Sequence, residues 1–169
     1  CRHVTDLALM LFDALQPLHA LETHDRFLLS CAGNLHDIGW KYGQSGHNHR
    51  GAEMLFLDES LPFDLEERGI LAFIIQSHRG KIRISASRYL EFVSPKNRKK
   101  ALILAAILRV TDGLDYPHAG SVREIHCILS ADAVTCMLTG TGDITVEKEH
   151  AHEKSDLFCQ VFDRVLVIR

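Results

Sequence analysis

The sequence predicts a mainly α-helical protein, with a helical bundle over residues 1–118 and a small strand–strand–helix–strand (α+β) appendage over residues 119–169. Three observations predict it. Apolar residues recur at spacings of three and four through the first part of the chain, the period of an amphipathic helix. The segments so marked are punctuated by Pro17, Leu61-Pro62-Phe63 and glycines such as Gly39 and Gly80, residue types that end helices. After Tyr116-Pro117 the period shortens to two, with alternating apolar residues over 122–129 and 133–138.

Val4, Leu7, Ala8, Leu11, Leu15 and Leu18 place a first helix over residues 1–16, ended by Pro17. The period is already running at Val4 and the chain opens on Cys1, so this helix is expected to begin upstream of the present numbering. A second helix spans residues 23–38, with Gly39 expected in the left-handed conformation just past its end. A third starts at His47 after the turn Gly43-Gln44-Ser45-Gly46. Asp64 and Glu67 stand in capping-box register at the head of a fourth, which runs to His78 and is closed by Gly80. A short helix is expected around residues 86–92. The fifth, residues 95–114, has Ser94 as its cap and Pro95 at its first position. It is apolar nearly all round and is expected to be buried on most sides. A hairpin turning at Ser130-Ala131-Asp132, a last helix over 146–163 and a strand over 165–168 complete the chain.

Composition excludes several classes. An apolar fraction of 46% and a charged fraction of 24% are those of an ordinary globular protein. The longest uninterrupted apolar run, Ala101 to Leu108, is far shorter than the roughly 18 residues of a membrane span, and nothing resembles a signal peptide. Five widely spaced cysteines without a C-x-x-C pair fit neither a zinc ribbon nor a disulfide scaffold, and point to a reduced, cytoplasmic setting. The net charge of −3 is uneven: residues 79–100 hold Arg79, Lys81, Arg83, Arg88, Lys96, Arg98, Lys99 and Lys100 against the single acid Glu91. Cations crowding a helix N-terminus oppose its dipole. The stretch is therefore either a solvated helix face or a surface that attracts a polyanion.

The chemistry-bearing residues stand at helix ends. His36 and Asp37 end the second helix, His47 or His49 opens the third, His78 ends the fourth, and Asp112 lies near the end of the fifth. In a bundle whose helices share one pole these side chains converge. Neighbours in a helix do not share a face, so His36 and Asp37 are better splayed around an ion than hydrogen-bonded to each other. Imidazoles with carboxylates suit Mn, Mg, Fe, Co or Ni, and a pair of such ions can clamp a phosphoryl group for hydrolysis. Lys41, Arg79 and Arg109 are candidate phosphate contacts.

Leu35-His36-Asp37-Ile38-Gly39, together with Leu108-Arg109-Val110-Thr111-Asp112-Gly113-Leu114-Asp115, resembles the HD-domain metal-dependent phosphohydrolases, an all-helical superfamily. In Gly46-His47-Asn48-His49-Arg50-Gly51-Ala52 the family's ligand stands four before the glycine, which selects His47 over His49. More narrowly, residues 108–118 followed by a small α+β tail resemble the C-terminal part of the exopolyphosphatase and guanosine pentaphosphate phosphatase family. The resemblance implies an HD-domain bundle in which His36, Asp37, His47, His78 and Asp112 hold one or two divalent ions. It also implies that Asp37, Lys41 and Arg109 serve catalysis, while His49, Arg79, Lys81, Lys96 and Arg98 contact substrate. The family's first metal histidine would fall just before Cys1, and His3, one residue from Val4, is expected to point elsewhere.

The function so implied is metal-dependent hydrolysis of a phosphoester or phosphoanhydride. The alternative is a non-catalytic accessory domain that binds polyphosphate or a nucleotide through the basic stretch. The expected partner is a phosphate-containing small molecule or polyphosphate, not a membrane or a nucleic acid, and the chain is expected to belong to a larger protein or to pair as a homodimer.

Overall fold

The computed structural model describes residues 1–82 and 84–169; Arg83, one of the basic residues of the 79–100 stretch, lies outside the described residues. The architecture is mainly helical with a small sheet at its C-terminal end. Its centre is helix α6 (Pro95–Gly113), whose Ala101 and Ile103 to Val110 are all buried. Helices α1 (Arg2–Ala14), α3 (Thr23–Leu35) and α5 (Leu65–Ser77) pack around it. The apolar stripe of α1 holds Val4, Leu7, Ala8 and Leu11, each fully buried, with Val4, Leu7 and Leu11 each contributing about 1.5–3 kcal/mol by leaving water. Helix α4 (His47–Leu57) packs on α5. No helix among the described residues is long and apolar enough to cross a membrane.

Several element ends differ from the sequence reading, each for a physical reason. Pro17 does not stop the first helix but sits in the first turn of a short α2 (Gln16–His19), where its missing N–H is not needed; the left-handed Ala20, φ 50°, ends the run. Helix α3 stops at Leu35, and residues Ile38–Tyr42 form a separate 3-10 turn. Gly39 is therefore not a left-handed cap. It is needed because a Cβ there would stand 2.1 Å from the His47 carbonyl oxygen and 2.8 Å from the Gly51 amide. The absent side chain lets the 3-10 turn lie directly on α4. Gly39→Ala is accordingly expected to lower stability by about 3 kcal/mol, read as a fall in the urea midpoint; an unchanged midpoint would contradict this contact.

Helix α5 starts as its sequence predicts. The Glu67 amide donates to Asp64 Oδ1 at 2.8 Å and the Asp64 amide to Glu67 Oε2 at 2.9 Å. Ser94 stands at the N-cap of α6 but does not cap it; its amide and hydroxyl go to Glu66 of α5, whose carboxylate also accepts from Asn97. An acid from the neighbouring helix thus offsets part of the penalty of the basic residues at the head of α6. The stretch expected as a short helix is two 3-10 turns, Ile84–Ala86 and Arg88–Phe92.

Strands β1 (Val122–Leu129) and β2 (Ala133–Gly140) form the expected antiparallel hairpin, and β3 (Val165–Ile168) lies parallel to β2. The expected last helix is broken into α7 (Thr145–Glu153) and α8 (Asp156–Phe162). The Ser155 hydroxyl donates to the His152 carbonyl at 2.7 Å, and this competition with the backbone ends α7. Both helices pack on α6, and β1 packs on α1, so the tail shares one continuous core with the bundle. At Gly113 the backbone of α7 comes so close that a Cβ would stand 2.6 Å from the Ala151 Cα.

Candidate metal centre

Four helix ends meet at one pole. His36 caps the C-terminus of α3, His78 that of α5, and Asp112 lies in the last turn of α6, while His47 opens α4. Three of the four ends present carbonyls, so the local backbone field favours a cation.

The three imidazoles are oriented by one device. Each Nδ1 lies against a carbonyl oxygen three residues back: His36 on Gly33 at 2.6 Å, His47 on Gln44 at 2.8 Å and His78 on Ile75 at 2.7 Å. A carbonyl can only accept, so each Nδ1 carries a hydrogen, and a ring in its neutral form presents a bare Nε2. All three Nε2 atoms face the Asp37 carboxylate. Those of His47 and His78 are 3.0 Å apart, and that of His36 is buried with no hydrogen-bond partner. Two bare nitrogens at that distance repel unless a proton or a metal ion lies between them. This is the ring geometry expected of metal-ligating histidines.

Asp37 joins the imidazoles through separate oxygens. Its Oδ1 is 3.2 Å from His47 Nε2 and 3.8 Å from His78 Nε2, while its Oδ2 is 3.3 Å from His36 Nε2. Asp112 Oδ1 is 3.6 Å from His36 Nε2, and its Oδ2 accepts a close hydrogen bond from the Lys154 ammonium. The structure thus brings together all five side chains named from the sequence as ligands, and the donor set suits a divalent ion.

The same proximity sets the charges. Burial pushes the His36 imidazole down, but the carboxylates of Asp112 and Asp37 outweigh it and raise its pKa to about 9. Burial, with the charge of His36 adding to it, takes His78 down to about 4 against the opposing pull of Asp112 and Asp37. Asp37 and Asp112 are held below the usual carboxylate range, against burial, by His36 and the neighbouring cationic groups. In the metal-free chain the raised His36 group therefore contributes stability that is complete below its unfolded value of 6.5 and is lost as pH rises through about 9. The two acids act in the opposite sense, contributing at neutral pH and losing that contribution as pH falls through their depressed values. Chain treated with EDTA should show a falling melting temperature between pH 6.5 and 9; a flat profile there would contradict the assignment.

Neighbouring contacts hold this pole in register. Asn48 Nδ2 donates to the carbonyls of Gln76 at 2.7 Å and Arg79 at 3.2 Å, which ties the start of α4 to the end of α5. Beside the donors lies a cleft of about 300 Å³ lined by Asp37, His47, His78 and Asp112 together with Trp40, Arg79 and Lys154. A larger cleft of about 880 Å³ adjoins it and shares Gln44 and Arg79.

Comparison with protein families matches residues 1–158 to Ppx/GppA phosphatase, domain III. The chain belongs to this family. No curated protein matches the sequence. The match runs from α1 to Phe158 in α8, so a Ppx/GppA domain III contains both the five converging side chains and Lys154.

Within this domain III the other residues singled out from the sequence fall in different places. Arg79 lines both clefts, and His49 and Lys81 line the larger one. Lys41 is exposed, with its ammonium over the Tyr42 ring, and it lines neither cleft. Arg109, expected on phosphate, is buried and its guanidinium is taken up internally: Nε and Nη2 donate to Asp156 at 2.8 and 3.2 Å, and Nη1 to the Ser77 carbonyl at 3.1 Å. It clamps α8 to the end of α5 that carries His78. Lys96 and Arg98 stand at the head of α6, whereas Asp112 stands at its tail, about 24 and 21 Å away along the axis at 1.5 Å per residue. Lys100 is paired with the buried Asp25 at 2.7 Å. His3 is not among the converging donors. Sequence reasoning missed Lys154, which the packing of α7 at Gly113 delivers to the site, and the cleft-lining Tyr116 and His118.

Proposed function

We propose that this Ppx/GppA domain III is an HD-type, divalent-metal-dependent phosphohydrolase domain acting on a phosphoester or phosphoanhydride. The observation that carries the reading is the pair of Nε2 atoms of His47 and His78, 3.0 Å apart and facing Asp37. His36, Asp37, His47, His78 and Asp112 are the donors available to the metal, which when bound would supply Lewis-acid polarisation of a phosphoryl oxygen. The chain's own residues supply the rest. Arg79 and Lys154 bring positive charge to the small cleft, where a phosphate dianion is otherwise opposed by Asp37 and Asp112. Trp40 and Tyr116 form its apolar wall and narrow the access of water. Because Arg79 also lines the larger cleft, a substrate extending beyond one phosphate has a continuous path past Lys81 and His49.

The test is hydrolysis of p-nitrophenyl phosphate and of polyphosphate before and after EDTA treatment. Activity should disappear with the chelator and return with added Mn; hydrolysis indifferent to EDTA would contradict the reading.

A second reading, a polyanion-binding accessory domain, is favoured by one observation. Lys96, Arg98 and Lys99 are exposed together at the head of α6, remote from the donor pole. Replacing these three with Gln should then abolish salt-sensitive polyphosphate binding without altering metal content. Binding that survives the triple substitution would remove this reading.

A further inference from the structure

We infer that the site takes a single divalent ion per chain, held by His47, His78 and Asp37, and that the Lys154 ammonium is its fixed second cation. The inference rests on the metal-dependent reading above and goes beyond it in assigning stoichiometry and a role to Lys154.

Lys154 distinguishes the two sides of Asp37. On the Oδ1 side, His47 and His78 complete a trio whose ligand atoms all lie within 4.8 Å of one another. Two imidazoles and one carboxylate leave the remaining coordination positions open, an arrangement that binds one ion and admits a substrate oxygen. On the Oδ2 side stand His36 and Asp112, and Asp112 is the acid a second ion would require. One of its oxygens is already bonded to Lys154. That side also carries the exposed Cys1 thiol, 3.9 Å from Asp37 Oδ2, which with His36 and Asp37 forms a second trio within the same 4.8 Å; what sets the two sides apart is the Lys154 bond to Asp112.

Lys154 is not a wandering surface lysine. Its side chain is 18% exposed, and it ends α7, whose backbone is pressed onto α6 at Gly113, one residue from Asp112. Charge balance points the same way. With the imidazoles neutral beside the ion, two carboxylates, one ammonium and one divalent ion leave one net positive charge, suited to an incoming phosphate. A second divalent ion would leave three such charges in a largely buried cleft, and uncompensated buried charge is costly.

The experiment is Mn(II) loading of the wild-type chain, Lys154→Met and Lys154→Arg. Ions per chain are counted by elemental analysis, and the Mn electron paramagnetic resonance spectrum is recorded. Wild type and Lys154→Arg should each hold one ion with the resolved sextet of an isolated Mn(II). Lys154→Met, with Asp112 released, should take up a second ion and show the broadened spectrum of an exchange-coupled pair. Two ions in the wild type would overturn this inference and leave the phosphohydrolase reading standing. No ion in the wild type would overturn both. A folded Lys154→Met chain that still holds one ion would also overturn it. Should that variant not fold, the count in wild type and Lys154→Arg still decides between one ion and two.

Discussion

Asp37→Ala should remove divalent-metal binding and lower hydrolysis of p-nitrophenyl phosphate by roughly 10³-fold or more. The magnitude follows from the several kcal/mol that a bound metal contributes to a phosphoryl transition state, at about 1.4 kcal/mol per factor of ten. Asp37 is the residue to change because its two oxygens face different partners, Oδ1 towards His47 and His78 and Oδ2 towards His36. Its loss removes the one group shared by both halves of the site. It also leaves the facing Nε2 atoms of His47 and His78 with no anion beside them. Initial rates at saturating Mn, measured beside metal content, check this. A variant that keeps the wild-type rate would end the mechanism, whatever its metal content.

Arg109→Met should lower stability by about 3 kcal/mol, within the range for breaking a buried charge pair. The guanidinium is buried and makes two bonds to Asp156 and one to the Ser77 carbonyl. Methionine fills much of the volume but leaves that carbonyl unpaired, and an unsatisfied buried acceptor costs free energy on its own. Asp156 is more than half exposed and can recover water, which keeps the expected cost below the upper end of the range. Because Ser77 precedes His78, the variant should also bind Mn more weakly at a temperature where it remains folded. Arg109→Lys should recover only part of the loss, since an ammonium cannot make the forked contact. Urea denaturation of the three proteins measures the effect; an unchanged midpoint in Arg109→Met would contradict the clamp.

The helical bundle and the hairpin were legible because burial of α1 and α6 writes its period directly into the sequence: every one of Val4, Leu7, Ala8 and Leu11 is buried. The five converging side chains were legible for a related reason. Polar ligating residues at the ends of apolar helices stand out, and helices that pack around α6 must bring some of their ends together. Positions set by backbone proximity were not legible. Gly39 reads as a helix stop, yet its role is to let the 3-10 turn touch the backbone at His47 and Gly51. Lys154 sits in a polar stretch, His150 to Lys154, that looks like a solvated helix face. Only the break at Ser155 and the contact at Gly113 turn it towards Asp112. The internal pairing of Arg109 was not legible for the same reason, because its partner Asp156 lies 47 residues away in the chain.

The most direct test of the metal-centred reading is a crystal of the wild-type chain soaked in Mn(II), with anomalous scattering recorded near the manganese edge. A peak at bonding distance from His47 Nε2, His78 Nε2 and Asp37 Oδ1 is the predicted result. An anomalous map with no peak between these atoms, at Mn concentrations that saturate activity, would contradict it.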